Sequence, residues 1–368
     1  MTEANGPLAG VRVLEVGGIG PNPFTGMLLA DMGADVIRLD REVGSGFGQA
    51  GPSDPSLRGR QTLAVDLKSD AGRALTLALA ERADALIEGF RPGVMERLGL
   101  GPEPLMERNP RLVYGRITGF GQDGPMAGLP GHDINYIALS GVLGASQRAG
   151  DKPMFAINTV ADYGGGAMLL AFGVVCALLE ARSSGRGQVV DAAMVDGSAL
   201  LLTMVHALRA ARLWSDQPGT NILDSGAHFY EVYATADGRH VAVGAIEPQF
   251  YARLLELLEL PSDEWPQWDR DRWPELKQRL ADVFSTRSAH QWAELLEHEE
   301  VCVTVVRGPL EAPLDPHLSA RGTFVELDGI RQPAAAPRFS RTPASARSAS
   351  SDPEEALRRW GAEPPAPE

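Results

Sequence analysis

With 368 residues, 44% of them hydrophobic and 22% charged, this chain can bury full-sized cores, and its length fits two or three domains. A net charge of −14 argues against nucleic acid or an anionic membrane as a general partner, while leaving room for a local basic patch. Two cysteines, Cys176 and Cys302, each stand alone in an apolar run, so neither a disulfide framework nor a metal site is expected. The first residues lack the segments of a secretory leader, and the last lack a peroxisomal address. No uncharged apolar run reads as long enough to span a membrane. The expectation is a cytoplasmic protein with no membrane partner.

VRVLEV at 11–16 reads as a buried strand, followed by a helix with Asn22 as N-cap before Pro23 and Gly33 as its stop. VIRL is the next strand, so residues 11–41 form a βαβ unit with parallel strands. Pro23 stands where a dinucleotide fingerprint needs a third small residue for close helix–strand packing. Arg38 and Arg41 bracket the strand end around Asp40. Both features disfavour a nicotinamide cofactor, and the arginines suit a phosphate better. The glycine-rich stretch 42–61 reads as a mobile surface loop. A strand at 62–68, a helix capped by Ser69 or Asp70, a short helix through Arg97 and a strand in RLVYGRITGFG continue the alternation. That rhythm implies a parallel sheet covered on both faces.

A long apolar helix follows Asp162 and ends near 185, and a further strand and helix follow from 188. Near Ala227 the grammar changes to a hairpin turning at Asp237-Gly238, then helices, then the strand VCVTVV. TFVELDGIRQP reads as a hairpin returning to the first domain, the stretch 343–352 as disordered, and DPEEALRRW as a short capped helix. The fold class is α/β with a smaller α+β domain. The large domain occupies 1–193 and is completed by 323–368; a linker helix spans 194–226, the small domain 227–308 and a return linker 309–322.

Three residues invite a chemical reading. A lone histidine is usually a surface or satisfied core residue, but His132 in Gly-His-Asp-Ile-Asn-Tyr sits at a helix start beside backbone N–H donors, and imidazole titrates near neutrality unaided. Asp162 reads first as an N-cap, yet the three glycines after it are poor helix formers, and would let a ligand press against the backbone. Glu247, before Pro248 at a strand-to-helix corner, reads as a first-turn acid. Arg41, Lys68, Arg91 and Arg97 lie at strand ends or helix starts. Each alone suggests a solvated face; beside a sheet's carboxyl edge, together, they suit a phosphate cradle.

The motifs PLAGVRVLEV, LLADMGADVIRLDR, EGFRPGVMERLGLG, ITGFGQDGP, GHDINYIALSG, NTVADYGGG, SGRGQVVDAAMVDG and ADGRHVAVGAIEPQFY span nearly the whole chain. Through them it resembles the class III CoA-transferase superfamily (CaiB/BaiF type), most of all the bacterial α-methylacyl-CoA racemases. The resemblance implies an interlocked homodimer, with a Rossmann-like large domain linked to a small one by crossing connections. It implies that His132 and Asp162 are the two proton-transfer groups and that Glu247 pairs with His132 and fixes its tautomer. It further implies that Arg38, Arg41, Lys68, Arg91 and Arg97 bind the phosphates of CoA, and that the Asp133 N–H points at the thioester oxygen. No metal or organic cofactor is implied, the acyl-CoA being the substrate. In the transferase branch the same aspartate attacks the thioester as a nucleophile, and a glycine run replaces Ala245-Ile246-Glu247. A non-catalytic CoA-ester binding protein would keep the arginines without needing all three acid–base residues.

Overall fold

The computed structural model describes residues 5–41, 54–349 and 352–362. The chain divides into two compact units: Met1–Ser140, Ala156–Leu202 and Ser319–Glu368 form one, Gly141–Phe155 and Thr203–Leu318 the other. The glycine-rich stretch read as a loop lies mostly outside the described residues.

The first unit is built on six strands, β1 (Arg12–Val16), β2 (Asp35–Asp40), β3 (Gln61–Ala64), β4 (Ala85–Glu88), β5 (Val113–Thr118) and β6 (Val189–Ala193). All pair in parallel in the order β3-β2-β1-β4-β5-β6. Strands covered on both faces must be apolar along their length, and Leu14, Val16, Ile37, Leu39, Leu86 and Ile87 are all buried. The strand order reverses between β1 and β4, which opens a crevice at the carboxyl ends of these two strands.

The helix after β1, α1 (Pro21–Asp31), starts two residues earlier than the sequence suggests. Its N-cap is Gly20, at φ 66°, a conformation that glycine adopts without a Cβ penalty. Asn22 is therefore not the cap: it lies inside the helix, buried, and its amide donates to Gly17 O at 2.8 Å. Helix α2 (Asp70–Ala80) is capped by Ser69, whose Oγ accepts from the Gly72 N–H at 2.9 Å. Two short helices, α3 (Val94–Arg97) and α4 (Pro102–Arg108), lie between β4 and β5.

Beyond β5, α5 (Asp133–Leu139) begins directly after His132. A π-helical segment, Thr159–Ala167, then runs into the long helix Met168–Ser184, which Gly185 closes at φ 76°. The span Thr159–Ser184 is 26 residues long and holds an 18-residue window of mean hydropathy 1.8, so by length and composition alone it reaches membrane-spanning size, although Asp162, Glu180 and Arg182 interrupt its apolar run. One face of it packs on the sheet: Leu170, Val174, Ala177 and Ala181 are buried, and a Cβ on Gly115 of β5 would meet Leu170 at 3.0 Å and Val174 at 3.1 Å.

The C-terminal segment belongs to this unit. The stretch expected to be disordered is held as far as 349: the Ser345 N–H donates to Asp31 O at 2.9 Å and Arg347 to Ala30 O at 2.8 Å. The helix Pro353–Trp360 buries Trp360 beside Ile37 and Leu79, and Arg359 pairs with Asp35 at 2.6 Å.

The second unit starts at Thr203 rather than Ala227 and also takes in Gly141–Phe155. Its sheet pairs β7 (Tyr230–Ala234), β8 (His240–Gly244) and β9 (Val303–Val305) antiparallel, with Gly238 at φ 74° in the first turn. Helices Pro248–Leu257, Trp273–Phe284 and Ala289–Leu296 close over Phe229, Trp265, Trp273, Phe284 and Trp292.

Candidate active site

The first unit brings together two of the three proton-handling residues singled out in the sequence. His132 is exposed and stands at the N-cap of α5, where the Asn135 side chain accepts from its backbone N–H at 3.0 Å. The next N–H groups, those of Asp133 and Ile134, have no acceptor within a helix, so α5 presents donors and a partial positive charge beside the imidazole. Glycine is required where the ring of Tyr136 passes: a Cβ would lie 2.3 Å from that ring at Gly119 and 2.7 Å at Gly131.

Asp162 is not an N-cap. It is the fourth residue of the π-helical segment, half-buried, and its Oδ2 accepts from Asn158 Nδ2 at 3.1 Å. The wide π turn is a rare form, frequent at functional sites. Burial raises the affinity of this carboxyl for a proton; the Asn158 hydrogen bond opposes that, the Asp133 carboxylate adds to it, and the charge of His132 lowers it. A Cβ on Gly20 would lie 3.8 Å from Asp162 Oδ2, so the carboxyl also faces the start of α1. Tyr136 completes the group: burial pushes its hydroxyl up to about 12, helped by Asp162 and opposed by Arg91.

Two of the glycines after Asp162, Gly165 and Gly166, are required by packing. A Cβ on Gly165 would lie 2.7 Å from the Ser198 nitrogen, and one on Gly197 would lie 1.8 Å from Gly165 O. The π-helical segment and the helix Met194–Leu201 therefore touch backbone to backbone.

Arg41, Lys68 and Arg91 lie past the ends of β2, β3 and β4, and Arg97 ends α3; all four are exposed. Arg38 differs and corrects its sequence reading. It is 2% exposed, and its donors go to Glu15, to Asp40 at 2.6 and 3.0 Å, to Gly17 O at 3.2 Å and to Gly18 O at 2.9 Å. A guanidinium has five N–H donors. None is left for a phosphate, and Arg38 instead holds the loop that leads to Gly20. Glu15, fully buried, is shared between Arg38 and Arg60. Glu247 lies in the second unit, exposed at the N-cap of Pro248–Leu257, with no capping bond from its side chain. Two contributors escaped sequence reasoning: the Asp133 carboxylate and Asn158. Asn158 stands four residues before Asp162, a helical neighbour, but the helix was read as starting after Asp162.

The family model for CoA-transferase family III matches residues 8–355. The chain belongs to CoA-transferase family III. Family members of high similarity include the alpha-methylacyl-CoA racemase of Mus musculus, 46% identical over 96% of this chain and 93% of the relative. The alpha-methylacyl-CoA racemase of Homo sapiens is 44% identical over 91% and 90%. A probable fatty acyl-CoA transferase of Mycobacterium tuberculosis is 32% identical over 89% and 91%. Among solved structures, a CaiB/BaiF family protein from Brucella suis superposes with TM-score 0.82 at 25% identity, covering 97% of this chain and 99% of that one. The fold of this chain is thus one shared with a solved CaiB/BaiF family protein.

Proposed function

We propose that the protein is an epimerase of 2-methylacyl-CoA thioesters, inverting C2 by proton transfer through an enolate. The observation that carries this reading is that Asp133, the residue after the exposed His132, accepts from the backbone N–H of the half-buried Asp162 at 2.9 Å, which sets an imidazole and a carboxyl at one place. The racemase relatives, at 46% and 44% identity, agree with it.

The chemistry follows from the groups. One of His132 and Asp162 takes the C2 proton; the C–H electron pair moves into the thioester and places charge on its oxygen. The N–H of Asp133, at the start of α5, is a fixed donor for that charge, and preorganised donors of this kind usually contribute more to the rate than any other single effect. The other group delivers a proton to the opposite face, which inverts the centre and leaves the two carriers with exchanged protonation states. Burial suits Asp162 to this exchange, because it raises the carboxyl's affinity for a proton above that of a free aspartate. Arg41, Lys68, Arg91 and Arg97 are assigned to the CoA phosphates, and no cofactor is needed beyond the substrate's own CoA.

A homodimer is part of the proposal, with Glu247 assigned to the imidazole of a second copy. Met168, Phe172, Val175 and Leu179 form one stripe along the long helix, and Phe172 and Leu179 are each 67% exposed. Large contiguous apolar faces of this kind mark interfaces. Phe172→Glu should shift the sedimenting species from dimer to monomer; a wild type that sediments as a monomer at micromolar concentration would refute the assembly.

The reaction is tested by supplying one enantiomer of a 2-methylacyl-CoA and resolving the stereoisomers with time. A racemate should form without a CoA acceptor. Retention of configuration, with acyl transfer that requires a free carboxylic acid, would assign the transferase reading and make Asp162 the nucleophile.

A further inference from the structure

Asp133 stands apart among the acids near His132, because its side chain is 3% exposed and its hydrogen bonds reach the other half of the site. Oδ2 accepts from the N–H of Ala161 at 2.6 Å and of Asp162 at 2.9 Å, while Oδ1 is buried with no partner among the described residues. The first N–H groups of a helix lack intrahelical acceptors, and an acid placed there satisfies them and suits the dipole. Ordinarily the helix's own N-cap supplies that oxygen. Here the N-cap is Asn158, which makes no capping bond and donates to Asp162 instead. The cap comes from another helix, at the cost of burying a carboxylate oxygen unpaired.

We infer that Asp133 is a positioning residue: its carboxylate fixes the π turn carrying Asp162 against the helix that begins at His132. The inference rests on the epimerase reading for its consequence, though not for its geometry. His132 and Asp133 are covalent neighbours, so the tether from Asp133 to the backbone of Asp162 makes the distance between the two proton carriers a property of one short segment. A displacement of about 1 Å in such a pair costs on the order of 10² in rate. The surrounding charges act in the same direction. Asp162 faces His132 and Asp133 from α5, Asn158 from its own segment and the uncharged Gly20 from α1, with Tyr136 and Arg91 nearby. Among these, Asp133 is the acid that helps Asp162 to keep a proton.

The decisive variant is Asp133→Asn, which retains an acceptor oxygen for both N–H groups and removes the charge. With ¹³Cγ-labelled aspartate, and Asp162 assigned by its loss in Asp162→Asn, the Asp162 titration should move to lower pH in Asp133→Asn. The rate of inversion should fall about tenfold or more through kcat, with KM within about twofold and the acid limb of the pH profile displaced to lower pH. Asp133→Ala, which also removes the acceptor, should fall by on the order of 10². An Asp162 titration unchanged between wild type and Asp133→Asn overturns the inference, as does a loss confined to KM. A wild type that inverts no 2-methylacyl-CoA sinks the epimerase reading alone, and the titration still decides the role of Asp133.

Discussion

At the residue scale the arrangement separates what Asp162 does for catalysis from what it does for stability. Asp162→Asn keeps the shape but cannot carry the proton, so inversion should fall by roughly 10²–10⁴ in kcat. Its folded proton affinity is raised by burial, so its contribution to stability is fully present below the unfolded value of 3.8 and is lost as pH rises through the folded one. The Asn variant should accordingly unfold at or above the wild-type temperature at pH 8, with that advantage fading as the pH falls. A wild type that is more stable than the variant at pH 8 would contradict this. His228 in the second unit works in the opposite sense. It is fully buried, its Nε2 lies 2.7 Å from the Tyr251 hydroxyl, and burial lowers its imidazole to about 4. Stability held above pH 6.5 should drain between 6.5 and 4, by on the order of 3 kcal/mol, and His228→Gln should flatten that part of the profile. His132 and Asp162 are both singled out in the sequence by side-chain chemistry and motif, and the structure places them in one unit, linked through Asp133. The Asp133 carboxylate is not singled out there, because its partners lie 28 and 29 residues away and no local pattern reports them.

At the element scale, the strands and the Ser69 and Asp352 caps are readable because their causes are local. The run VRVLEV, the Ser69 cap and the Asp237-Gly238 turn each follow from a few adjacent residues. The glycine run after Asp162 misled for the same reason: its cause is the backbone of another helix. Gly197→Ala would place a Cβ 1.8 Å from Gly165 O, so it should destabilise by about 1–3 kcal/mol or prevent folding. Gly128→Ala, with nothing within 4 Å of its Cβ, is the control and should melt within about 0.5 kcal/mol of wild type. Equal melting of the two variants would mean that the helices do not meet backbone to backbone. Arg38 shows the complementary failure. A strand-end arginine looks like a ligand until the buried Glu15 beneath it is seen to accept from it.

At the scale of the whole molecule, the alternation of strand and helix foretold the parallel sheet, and the shift near Ala227 foretold a second unit. It did not foretell that Gly141–Phe155 joins that unit, since those residues carry no period of their own. In the proposed reaction, the large unit sets its sheet edge, α5 and the π turn so that an imidazole and a carboxyl share one carbon's two faces. The most direct measurement is the exchange of C2 hydrogen when each pure enantiomer of a 2-methylacyl-CoA is incubated with the protein in D₂O without acceptor. Deuterium at C2 in both stereoisomers, from either starting enantiomer, is the predicted result. Protium retained at C2, with configuration unchanged, would contradict the account.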